Sequence, residues 1–114
     1  MSATALAYAF LAISIALEVA GTTFLQQSQQ FTRFWPSAAV VVCYGLAFYC
    51  LSHVLKVVPV GVAYALWSGL GIVLISTIGY FLFRQRLDGA ALLGIGLILA
   101  GVIVINVFSK TVTH

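Results

Sequence analysis

The sequence predicts an all-α membrane protein, with four transmembrane helices forming one domain over residues 1–114. Three observations lead there. Charged residues make up only 6% of the chain and hydrophobic ones 63%, whereas a soluble domain carries about 25% charged residues. The apolar residues fall into long, nearly uncharged runs. Short polar segments separate those runs. So few charges cannot cover a water-exposed surface, which excludes a soluble enzyme and a disordered chain. The net charge of +3 comes from scattered cations and forms no basic patch, so no nucleic-acid partner is expected.

The first span is expected at about residues 3–25, with Glu18 as its one formal charge. Gln26-Gln27-Ser28-Gln29-Gln30 breaks the pattern. The second span is expected at 35–55 and ends at Lys56. The third, 57–83, is uncharged up to Arg84-Gln85-Arg86-Leu87-Asp88. The fourth is expected at 89–108, followed by a polar tail. Each run reaches the roughly 20 residues that a helix needs to cross the hydrocarbon. In lipid the backbone must satisfy its own hydrogen bonds, so these runs are helices. Short loops make consecutive helices antiparallel neighbours. Pro36 and Pro59 fall near helix starts, where a missing N–H is tolerated, and Trp35 suits the membrane interface.

Arg33, Arg84 and Arg86 lie on one side of this topology, and Lys56 and Lys110 on the other. So weak a positive-inside bias permits insertion in both directions, and with it an antiparallel dimer.

Glu18 is the only acid inside a span, since Asp88 sits in the third loop. An unpaired carboxylate in hydrocarbon is costly, and the usual escape is to carry a proton. Intramembrane acids mark ion or substrate paths. No Lys or Arg within the spans can pair with it, so its counter-ion is a proton or a visiting cation. Ser14, Gly21 and Thr22 share its helix face, and their small side chains leave room beside it. Small residues also serve close helix packing. A second copy of the chain would add a second carboxylate, and the two would titrate as a coupled pair.

Tyr64, Trp67 and Gly71 share one face of the third span. Tyr44 and Phe48 lie at i and i+4 on the second, and Tyr8 lies on the first. Aromatic faces attract poorly hydrated cations, although such a stripe also serves as packing. Gly69 and Gly71 mark either close packing or a helix kink. Gly94 and Gly101, with Ala90, Gly96 and Ala100, form a small-residue pattern read as a dimer seam. The thiols Cys43 and Cys50 are spaced as buried apolar residues. With the histidines at His53 and His114, they form no nucleophile–base pair. No enzymatic chemistry, metal or cofactor is expected.

Read as strings, the chain resembles the small multidrug resistance family of bacterial transporters. The strings are Leu17-Glu18-Val19-Ala20-Gly21-Thr22-Thr23, Phe31-Thr32-Arg33-Phe34-Trp35-Pro36-Ser37, and the run from Pro59 to Leu74. Gln85-Arg86-Leu87-Asp88 and the Gly94–Gly101 segment add to them, in family order. The resemblance implies an antiparallel, dual-topology homodimer in the bacterial inner membrane, exchanging protons for lipophilic cations. It implies that Glu18 is the shared proton and substrate site. Tyr64 and Trp67 would line the pocket, with Tyr44, Phe48 and Tyr8 near it. Gly69 and Gly71 would form a kink, and Gly94 and Gly101 the dimer seam. Glu18-Val19-Ala20-Gly21-Thr22 is similar to the quaternary-ammonium branch. A guanidinium-type small-cation exporter of the same family is an alternative, but that branch places Trp where this chain has Gly21. A non-transporting membrane subunit is another, though it would need no buried acid, and a heterodimeric subunit a third, though the weak charge bias favours self-pairing.

Overall fold

The computed structural model describes residues 2–111. Met1 and residues 112–114, His114 among them, lie outside the described residues. The elements are α1 (Ala3–Gln27), α2 (Phe34–Val54), α3 (Val60–Leu82) and α4 (Gly89–Phe108). All four are long and apolar enough to cross a membrane.

Local chemistry sets the ends. The Ser2 hydroxyl accepts from the Ala5 N–H at 3.1 Å and caps α1. Asp88 caps α4 in the same way, accepting from Ala91 N–H at 2.8 Å. Such caps satisfy donors that the helix leaves without partners. α3 begins at Val60 and not at residue 57, because Pro59 takes the cap position. The preceding residues form a turn in which the Val57 and Val58 N–H groups donate to Val54 O, at 3.0 and 2.9 Å.

The first loop is tighter than a polar break suggests. Gln29, Gln30 and Phe31 have φ of 50°, 60° and 63°, a left-handed run that non-glycine residues rarely adopt. Ser28 holds it together. This residue is fully buried. Its hydroxyl donates to Leu25 O at 2.8 Å and accepts from Phe31 N–H at 3.1 Å. Its carbonyl accepts from the N–H groups of Thr32 and Arg33.

α1 is the spine of the bundle. Its buried residues Ala7, Leu11, Ile15 and Val19 repeat every four positions, which places them on one helix face. Against that stripe lie Val54, Val58, Val62 and Ala63. α2 meets α1 through small residues, Ala47 among them, and the Ser14 hydroxyl donates to Ala47 O at 2.7 Å. In lipid, close contact and interhelical hydrogen bonds replace the hydrophobic effect as the glue. Near the other end of α1, the Phe10 ring stacks on His53 at 5.2 Å.

α1 comes close to both α2 and α3, whereas the backbones of α2 and α3 rarely approach each other. These two neighbours meet through aromatic side chains, Phe48 lying beside Trp67, with a cavity between the helices. α4 packs on α3 alone to a comparable degree, and none of its residues is fully buried.

Gly69 makes the α3–α4 contact possible. A Cβ there would lie 2.8 Å from Val102 Cγ2. α3 is helical throughout Gly69 and Gly71. Close approach accounts for Gly69. Gly69→Ala is therefore expected to destabilise the protein by about 1–2 kcal/mol, since overpacking exceeds the gain in helix propensity. Gly45→Ala, where a Cβ meets open space, should instead stabilise it by about 0.5–1 kcal/mol. Denaturant unfolding in detergent, followed by circular dichroism, checks both signs.

Candidate functional site

The space between α2 and α3 is a cavity of about 460 Å³, floored by α1. α1 contributes Glu18 and Thr22. α2 contributes Tyr44, Ala47, Phe48 and Leu51. α3 contributes Tyr64, Trp67, Ser68, Gly71, Ile72 and Ile75. The size falls within the roughly 300–1,000 Å³ of small-molecule sites. The only charged residue on its wall is Glu18.

The carboxylate is held from one side. The Thr22 hydroxyl, one turn along α1, donates to Glu18 Oε1 at 2.9 Å. Thr22 also lies 2.7 Å from the Tyr44 hydroxyl. A threonine has one proton to give. With that proton on Glu18, Tyr44 donates to Thr22, so a chain of hydroxyls from α2 ends on the acid. Oε2 faces α3, where a Cβ on Gly71 would sit 3.5 Å from it. The glycine keeps that side of the carboxylate clear.

Aromatic rings form the walls. Phe48 and Trp67 face each other across the gap with centroids 5.7 Å apart. Tyr64 is 70% exposed and Phe48 60% exposed in the single chain. The cavity is thus lined on three sides and open on the fourth.

Not every residue singled out from sequence lines this space. Glu18, Thr22, Tyr44, Phe48, Tyr64, Trp67 and Gly71 do. Ser14 does not, because its hydroxyl is fully buried against Ala47 of α2. Gly21 leaves no room beside the acid, because the Tyr44 ring fills it: a Cβ on Gly21 would lie 2.6 Å from two ring carbons. Tyr8 packs against the α1 core stripe and is absent from the lining. Sequence reasoning missed Ala47 and Leu51 on α2, three residues after Tyr44 and Phe48, and it missed three on α3, namely Ser68, Ile72 and Ile75. These three continue the face of Tyr64 and Gly71 at spacings of three and four, a periodicity that could have found them. Gly94 and Gly101 lie outside the site, and a Cβ on either meets nothing within 4 Å. Among the described residues, no group of His, Cys, Asp or Glu gathers that could hold a metal.

The model of the Small Multidrug Resistance protein family matches residues 6–98. This chain belongs to the small multidrug resistance family. It is 52% identical over 105 residues to the quaternary ammonium compound-resistance protein QacE of Escherichia coli, covering 92% of this chain and 96% of that one. Identity to the multidrug transporter EmrE of Escherichia coli (strain K12) is 47% over 107 residues, with coverage of 94% and 97%. QacF of Klebsiella aerogenes, another quaternary ammonium compound-resistance protein, is 53% identical over 105 residues, covering 92% and 96%. Membership and the four apolar helices make this a multi-pass membrane protein of a transporter family, and not an enzyme.

The open side of Glu18 is testable by chemistry. A hydrophobic carbodiimide should label Glu18 in detergent. Gly71→Leu, which sets bulk against Oε2, is expected to slow that labelling several-fold at unchanged helix content. Mass spectrometry of the labelled peptide measures the rate.

Proposed function

We propose that this chain is a proton-coupled antiporter that exports lipophilic, aromatic quaternary ammonium and related toxic cations. The observation that carries the reading is Glu18. It is the one acid in the spans, on the wall of an aromatic cavity that contains no cation of its own. Protons and organic cations compete for this carboxylate, and that competition couples their fluxes. Deprotonated Glu18 takes the cation from the cytoplasmic side, against Trp67 and Tyr64. After the protein reopens outward, protons displace the cation. A proton gradient contributes about 1.4 kcal/mol per pH unit, and each net charge moved about 2.3 kcal/mol per 100 mV.

The working unit is an antiparallel, dual-topology homodimer in the bacterial inner membrane, each copy a single domain of residues 1–114. The weak charge bias of the loops supports dual insertion. The open fourth side of the cavity and the unburied α4, with Gly94 and Gly101 unpacked, support a second copy. Gly69 and Gly71 mark the kink of α3, with Gly69 also allowing close packing and Gly71 keeping access to the acid.

Gly21 favours quaternary ammonium over guanidinium. The Tyr44 ring occupies the space of its missing side chain, so a Trp at that position and the present Tyr44 exclude each other. The relatives QacE and QacF, both quaternary ammonium compound-resistance proteins, point the same way.

Transport in proteoliposomes tests the proposal. Wild type is expected to move an aromatic quaternary ammonium in response to a proton gradient, well ahead of guanidinium. Glu18→Gln should abolish that flux. Unchanged flux in Glu18→Gln would falsify the role of the acid, and guanidinium as the better substrate would assign the alternative branch.

A further inference from the structure

A second cavity, of about 400 Å³, lies away from Glu18, between the end of α3 and the start of α4. We propose that this crevice binds an anionic phospholipid, with Arg86 on the lipid phosphate and an acyl chain along Phe81, Leu87 and Leu92.

The charge of the site points to an anion. Its lining holds one cation, Arg86, and no acid. Only Glu18 and Asp88 are acidic in the whole chain. Glu18 is in the other cavity, and the Asp88 carboxylate accepts from the Ala91 N–H at the start of α4. Arg84 adds a second exposed cation two residues before Arg86. A guanidinium matches a phosphate with two parallel hydrogen bonds. Tyr80 supplies a hydroxyl on the same wall, whereas the Thr77 hydroxyl donates to Val73 O within α3.

Position selects a lipid over a free ion. The crevice lies where the apolar spans α3 and α4 end, the depth at which headgroups sit. Basic pockets between helices at that depth hold anionic headgroups. Below the arginine the wall is greasy, and Phe81, Leu87 and Leu92 are 73%, 43% and 59% exposed. A free phosphate would leave that surface bare, whereas an acyl chain covers it.

The loop is shaped to keep Arg86 there. After α3 the chain turns through Arg84 at φ 54°. The Phe83 and Gln85 N–H groups both donate to Gly79 O, at 3.1 and 3.0 Å. Gly79 has no side chain, and the Gln85 amide lies over it, with Oε1 3.0 Å from where a Cβ would be. Arg86 follows directly from this fold-back. Leu92 lies about 160° around α4 from Gly94 but only about 40° from Gly96, so a cysteine at position 92 reports whether a second copy reaches the crevice.

Native mass spectrometry of the purified protein tests this. The probes are phosphatidylglycerol and phosphatidylcholine with identical acyl chains. Wild type should retain phosphatidylglycerol in preference. Arg86→Gln is expected to lower that retention about fivefold, as is Leu92→Trp, which fills the acyl contact. Arg33→Gln is the control. Arg33 lies outside the crevice and donates to Gln27 O, so retention should not change. All variants must elute as single species, and if Arg86→Gln does not, Leu92→Trp decides. Equal retention of the two lipids, or full retention by the variants, overturns the proposal. Displacement by inorganic phosphate would make the ligand a free anion. Ready disulfide formation between copies of Leu92→Cys would give the crevice to a second chain. Either result also overturns it.

Discussion

A carboxylate at membrane depth cannot stand alone, and this chain provides no cation to stand beside it. Insertion scales put an acid at the centre of a helix at about 2.5–3.5 kcal/mol unfavourable. A hydrogen bond to a charged group returns about 1.5–3 kcal/mol. The bond from Thr22 to Glu18 therefore offsets much of the penalty for one oxygen. The second oxygen, facing Gly71, gains nothing comparable from the protein. The balance is left for whatever arrives. A proton makes the acid neutral, and an organic cation makes an ion pair.

The rest of the fold follows from keeping that oxygen accessible. α1 is packed tightly along one stripe, so the acid has a fixed base. α2 and α3 meet α1 but stand apart from each other, so the acid faces a gap and not a neighbour. Tyr44 serves both ends of this arrangement. Its ring fills the space left by Gly21, and its hydroxyl reaches Thr22. Packing between α1 and α2 is thus linked directly to hydrogen bonding at the carboxylate. α4 is attached chiefly to α3, with a close approach at Gly69, where an added Cβ would meet Val102. Elements packed on a single neighbour are those that can move at small cost.

Much of this was legible in the residues. Hydrophobic runs gave the four helices, because a membrane leaves no other way to satisfy a backbone. The lone acid and the aromatic face at Tyr64 and Trp67 were visible from charge and spacing. Other features were not. Nothing in Gln29-Gln30-Phe31 announces a left-handed run, because Ser28 dictates it through contacts that only the folded loop contains. Ser14 shares a face with Glu18, but the carbonyl of Ala47, on another helix, claims its hydroxyl. Gly21 likewise reads as empty space until the Tyr44 ring is seen in it. Helical spacing reports which residues share a face, and not what the opposite helix puts there.

Calorimetry addresses directly the proposed competition between proton and cation at the Glu18 carboxylate. An aromatic quaternary ammonium would be titrated into the detergent-solubilised protein at several pH values, in buffers with different heats of ionisation. The account predicts that binding releases protons, so the heat depends on the buffer. Affinity should rise with pH, approaching about tenfold per unit for each proton released. Buffer-independent heat together with the same affinity at acid and neutral pH would contradict it.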